Sequence, residues 1–138
     1  MVTLRGGCLC GAVRYETEAE PIFAGLCHCR DCLKATGSNG APYMGFRIAD
    51  VRTTGTTQRY TNIADSGAPT SRLFCPTCST IVFGDGGESD TSGIITLYAG
   101  TLDDPSLFQP REIIFARGRP HWAVAMEHLP TYETAPPQ

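Results

Sequence analysis

The sequence predicts a mainly β domain with irregular loops. Three features carry that reading. Apolar runs are short, of strand length, and rich in β-branched and aromatic residues. Fifteen glycines and ten prolines are spread along the chain and bound those runs. No long stretch repeats with helical period.

Taken in order, residues 11–16 (GAVRYE) alternate, with Val13 and Tyr15 on one face and Arg14 and Glu16 on the other, as a half-buried strand requires. A helical turn is expected after Cys29. The Thr-, Gly- and Ser-rich stretch 50–71 predicts a strand at 57–62 (TQRYTN) followed by a mobile loop. Residues 80–83 (TIVF), 94–99 (IITLYA) and 113–116 (IIFA) read as strands, and 84–87 (GDGG) as a turn. Residues 122–129 (WAVAMEHL) suit a short helix, with Trp122 expected in the core. No internal repeat or linker is visible. Residues 1–130 are expected to form one domain, and 131–138 a flexible tail.

The chain has 138 residues, 41% hydrophobic and 18% charged, enough apolar content to bury a core. Its net charge is −3 and its isoelectric point about 5.5. That balance provides no general attraction for nucleic acid or anionic membranes. No apolar run approaches the roughly 18 residues that span a bilayer. The opening MVTLRGGCLCG lacks the apolar core of a signal peptide. A cytoplasmic location is the expectation.

Seven cysteines is an odd number, and internal disulfides cannot pair them all. A reducing cytosol would not preserve such bonds either, so metal binding or thiol chemistry fits better. They fall in three groups: Cys8 and Cys10 (C-x-C), Cys27, Cys29 and Cys32 (C-x-C-x-x-C), and Cys75 and Cys78 (C-x-x-C). Structural zinc takes four soft ligands, usually as two close pairs from separate segments. Cys8, Cys10, Cys75 and Cys78 meet that requirement, since a C-x-x-C turn aims two thiolates at one ion and positions i and i+2 of an extended segment share a side. The remaining trio matches a catalytic zinc, with three protein ligands and one open position. A substrate thiolate suits that position as a soft ligand. Other readings remain open. The trio plus one outside cysteine can form the four-ligand site, a C-x-x-C can be a redox pair, and a second closed metal site, completed by His28, Asp31 or a partner, would make the chain a zinc-stabilised binding module without catalysis. His28, between two trio cysteines, is expected to point away from them. His121 and His128 read as surface residues.

The segments GGCLCGAVRY (6–15), CHCRDCLKATGS (27–38), FCPTC (74–78), YAGTLDDP (98–105) and RPHWA (119–123) together resemble the glutathione-dependent formaldehyde-activating enzymes, grouped with the centromere protein V family. The resemblance covers nearly the whole chain. It implies an Mss4-like β fold with two zinc ions per chain: a structural one on Cys8, Cys10, Cys75 and Cys78, and a catalytic one on Cys27, Cys29 and Cys32. It also implies carbon–sulfur lyase activity that joins formaldehyde to glutathione as S-hydroxymethylglutathione. The implied partners are a small thiol, glutathione in the family, and an aldehyde. Where the family often has glycine after the second C-x-x-C, this chain has Ser79, and it has Pro110-Arg111-Glu112 where many members carry a histidine. Glutathione's two carboxylates call for cations or N–H donors. Arg30, Lys34, Arg72, Thr36 and Ser38 are candidates near the metal segments, each also readable as ordinary solvated surface.

Overall fold

The computed structural model of the chain describes residues 2–123 and 126–137. The strands are β1 (Leu4–Gly7), β2 (Arg14–Thr17), β3 (Phe23–Cys27), β4 (Ala41–Arg47), β5 (Arg52–Thr54), β6 (Gln58–Ile63), β7 (Pro69–Phe74), β8 (Ile81–Asp85), β9 (Ile94–Tyr98) and β10 (Glu112–Ile114). One α-helix, α1 (Arg30–Thr36), follows β3. The mainly β expectation therefore holds.

The strands form two sheets. The smaller has the order β1-β2-β5, and the larger β10-β3-β4-β9-β8-β7-β6. Neighbouring strands are antiparallel except β10, which lies parallel to β3 with Ile114 opposite Cys27. Side-chain alternation sorts the larger sheet into two faces. On β4, Met44 and Phe46 join Val13, Tyr15, Val82 and Leu97 in the main core, which also takes in Cys8 and Cys75. Ala41 and Tyr43 point the other way and pack with Cys27, Phe23, Tyr98 and Ile114.

Several expected strands shift. The alternating segment 11–16 begins with a turn, and its strand runs Arg14–Thr17, because the backbone must first reverse around Cys8 to pair β1 with β2. After β6 the chain does not enter a long loop. It turns over residues 64–68, where Ala64 N–H donates to Ala68 C=O at 2.9 Å, and returns as β7 in a hairpin. The segment 113–116 is strand only through Ile114, then turns as 3₁₀ over Ala116–Gly118. Residues 124 and 125 of the expected 122–129 helix lie outside the described residues, and His121–Ala123 just before them form a 3₁₀ turn. Trp122 is 54% exposed and not in the core, since it follows the last strand and has no sheet face to pack on.

Candidate metal centres and cleft

Cys8 and Cys10 lie in the turn between β1 and β2, and Cys75 and Cys78 in the turn between β7 and β8. The extended C-x-C geometry expected for the first pair is replaced by a tight turn, with Gly11 N–H donating to Cys8 C=O at 3.1 Å. The two loops meet, and all four Sγ atoms lie within 4.8 Å of one another. Cys8 Sγ is 3.6 Å from Cys10 Sγ, and Cys10 Sγ is 3.7 Å from Cys75 Sγ. A disulfide would need about 2.05 Å. A tetrahedron of zinc–sulfur bonds near 2.3 Å puts its sulfurs about 3.8 Å apart, so these spacings suit a tetrahedral soft metal. Val13 N–H donates to Cys8 Sγ at 3.2 Å, the polarity a thiolate wants. The Thr80 hydroxyl, with its backbone N–H, pulls the Cys78 thiol down to about 5.

The C-x-x-C turn closes through Ser79 N–H to Cys75 C=O at 2.8 Å. Ser79 sits at φ 67°, in the left-handed region that favours glycine. Its side chain therefore strains a turn that the four-cysteine cluster holds in place.

Cys27, Cys29 and Cys32 gather on the other face of the large sheet. Their Sγ atoms also lie within 4.8 Å of one another. Cys27 ends β3, whose alternation puts it beside Phe23. Cys29, extended at ψ 153°, caps α1, and its Sγ accepts the Cys32 N–H at 3.3 Å. A seven-residue helix is too short to hold itself, so the cap, buried Leu33 and the left-handed Gly37 that ends it are what fix Cys32. His28 is not part of the cluster. Its backbone N–H donates to Ile114 C=O at 3.0 Å, and its ring lies over Gly40, where a Cβ would come within 2.9 Å of Nε2. Asp31 is outside it too, accepting from Asn62 at 3.1 Å.

Hydrogen bonding with Cys32 pulls the Cys27 thiol below its ordinary value, and the same contact, with burial, pushes Cys32 up. Among the described residues, the buried side-chain nitrogens lacking a partner are His28 Nδ1 and Arg72 Nε. Both belong to this neighbourhood, His28 between two of the cysteines and Arg72 with its Nη2 3.9 Å from Cys32 Sγ. The donor set, three sulfurs close enough to share one ion, fits a bound metal ion.

Cys27 and Cys32 open into a cleft of about 320 Å³. Phe23, Tyr43, Tyr98 and Ile114 form its apolar wall; Thr70, Asp85, Asp90 and Ser92 line its polar end. Among the described residues, no arginine, lysine or histidine lines it. Asp85 is paired with Arg59, whose Nη2 donates to it at 3.0 Å. Of the residues proposed to meet substrate carboxylates, Arg30 and Lys34 are exposed on α1. Thr36 and Ser38 bond each other at 2.7 Å and hold the turn after the helix. Arg72 alone is buried beside the trio. Sequence reasoning named Arg72 but weighed it as surface, and it missed the aromatic wall, because Phe23 and Tyr43 lie in strands interrupted by glycine.

Among the described residues, no helix is long and apolar enough to cross a membrane. A search of curated proteins finds no match. Among solved structures, the chain is similar to a crystal structure of a Rhodobacter sphaeroides protein, with 22% identity and a TM-score of 0.51, covering 72% of this chain and 87% of that one. That likeness is one of fold. Residues 3–118, spanning every strand and both cysteine groups, match the family model for the glutathione-dependent formaldehyde-activating enzyme. The chain belongs to that family.

Proposed function

We propose that this chain is a zinc-dependent carbon–sulfur lyase that makes and breaks a thiol–aldehyde adduct, with the S-hydroxymethyl adduct of glutathione as its first candidate. Cys8, Cys10, Cys75 and Cys78 hold a structural zinc, and Cys27, Cys29 and Cys32 hold the catalytic one. The chain works in the cytoplasm. The observation that supports the reading is that Cys27 and Cys32 line a cleft, while the four-cysteine group joins the main core through Cys8 and Cys75.

Zinc bound by three thiolates supplies a soft Lewis acid that lowers the pKa of a thiol brought to it. The chain's own residues do the rest. Phe23, Tyr43, Tyr98 and Ile114 shield the reacting atoms from water, which strengthens every polar contact in the cleft. Tyr43 is fixed by donating its hydroxyl hydrogen to Glu112 at 3.1 Å. In the forward direction the thiol sulfur bonds to the aldehyde carbon, the carbonyl π pair moves to oxygen, and that oxygen takes the proton the thiol gave up. The reverse reaction takes the hydroxyl proton, re-forms the carbonyl and expels the thiolate.

The test is the rate of S-hydroxymethylglutathione formation from glutathione and formaldehyde, with zinc-loaded protein and with Cys32→Ser. Acceleration over the spontaneous reaction that disappears in the variant is the expected result. No acceleration by the wild-type protein would remove glutathione as its thiol. Running the assay with a neutral thiol, since no cation lines the cleft, then separates a changed substrate from absent catalysis.

A further inference from the structure

Arg72 is a buried guanidinium. It is 5% exposed, and among the described residues no ion pair includes it. The other inward-leaning arginine of the neighbouring strand, Arg59, has Asp85 as a two-point partner. Arg72 instead donates through Nη1 to Asn62 Oδ1 at 3.0 Å and through Nη2 toward Cys32 Sγ at 3.9 Å. Its Nε, shut away from solvent, has no acceptor. Asn62 in turn donates to Asp31 at 3.1 Å, in the first turn of the helix that carries Cys32. The guanidinium is thus tied to the trio's helix on one side and aimed at its sulfur on the other.

A buried cation without an opposite charge is strongly disfavoured. The anion that answers it here is the thiolate cluster. Three cysteine thiolates and one divalent ion sum to a single negative charge, and a fourth thiolate doubles it. We propose that Arg72 is a positioning residue for the trio. It is the fixed counter-charge that lets Cys27, Cys29 and Cys32 keep a divalent ion and then accept an anionic sulfur ligand. The proposal rests on the trio being a metal site, as argued above. A lysine keeps the charge but cannot serve Asn62 and Cys32 through one planar fork.

The experiment loads the whole chain with cobalt(II), whose thiolate absorption reports each site, and follows release to a competing chelator. It then titrates 2-mercaptoethanol as a probe of the open position. For Arg72→Met the later-filled, weaker site should lose about 10- to 100-fold in metal affinity, the range typical of outer-shell partners. Thiol affinity there should fall comparably, while the four-cysteine site is unchanged. Arg72→Lys should recover part of both losses. Wild-type constants for metal and thiol in Arg72→Met would overturn the proposal. A wild-type chain retaining one cobalt would overturn the proposal and the metal reading together. If Arg72→Met does not fold, Asn62→Ala, at a half-buried position, should loosen the same site by a smaller factor, and unchanged constants there would equally overturn it. A protein that holds two ions but does not accelerate adduct formation would fail the lyase assignment alone, leaving the Arg72 measurement readable.

Discussion

The two cysteine groups differ in almost everything except chemistry. The group of four joins two loops that are 65 residues apart in sequence, as Cys10 and Cys75 show, and its innermost members belong to the main core. The group of three comes from one short segment, lies on the opposite sheet face and borders a cleft. Ligands from distant segments make a metal part of the fold, because the bond closes a long loop and replaces core contacts. Ligands from one segment close no long loop, so an ion held there would contribute less to the fold.

The sharpest way to break this contrast is Cys75→Ser. Structural zinc contributes roughly 10–16 kcal/mol in small zinc domains, so the variant should lose one ion and its cooperative thermal transition, read by calorimetry and zinc analysis. Retention of a wild-type transition would erase the distinction between the groups. Next comes graded chelation: one ion should leave first, with the circular dichroism of the sheets unchanged, and unfolding should accompany only the second. Cys32→Ser should lose that first ion while costing stability in the ordinary range of about 0.5–3 kcal/mol for a point substitution; unfolding of this variant would mean the trio is structural too. The smallest effect is Ser79→Gly. Relief of a left-handed serine should stabilise the chain by about 1 kcal/mol, raising the melting temperature by a few degrees without changing the metal content. A lower melting temperature would mean that the serine side chain supports the turn.

Cysteine spacing carried more than the apolar pattern did. Spacing favours four ligands and three while leaving the trio plus an outside cysteine open, and the structure gathers Cys8, Cys10, Cys75 and Cys78 in one cluster and Cys27, Cys29 and Cys32 in another. The strands that build the cleft were harder to read. Phe23–Cys27 and Ala41–Arg47 contain Gly25, Gly45 and Pro42, which look like turn residues. They are strands because the glycines make room for aromatic rings across the pair: Phe23 faces Gly45, where a Cβ would collide with the ring at 2.1 Å, and Tyr43 faces Gly25. That complementarity lies between residues about twenty apart and leaves no trace in a local window. Arg72 was misweighed for a similar reason. A charged residue reads as surface until the anionic cluster that answers it has been assembled.

The parallel pairing of β10 with β3 sets an order of assembly. Every other neighbour in the large sheet is antiparallel, whereas Ile114 returns to Cys27 only after nearly the whole fold has been traced. A chain emerging from the ribosome exposes all four cysteines of the buried group by residue 78, well before β10 exists to cover the edge of β3. An ion held by that group would therefore be in place while the trio is still open at one side. Until β10 docks, that edge is a bare strand beside the three cysteines, open to mispairing in the nascent chain.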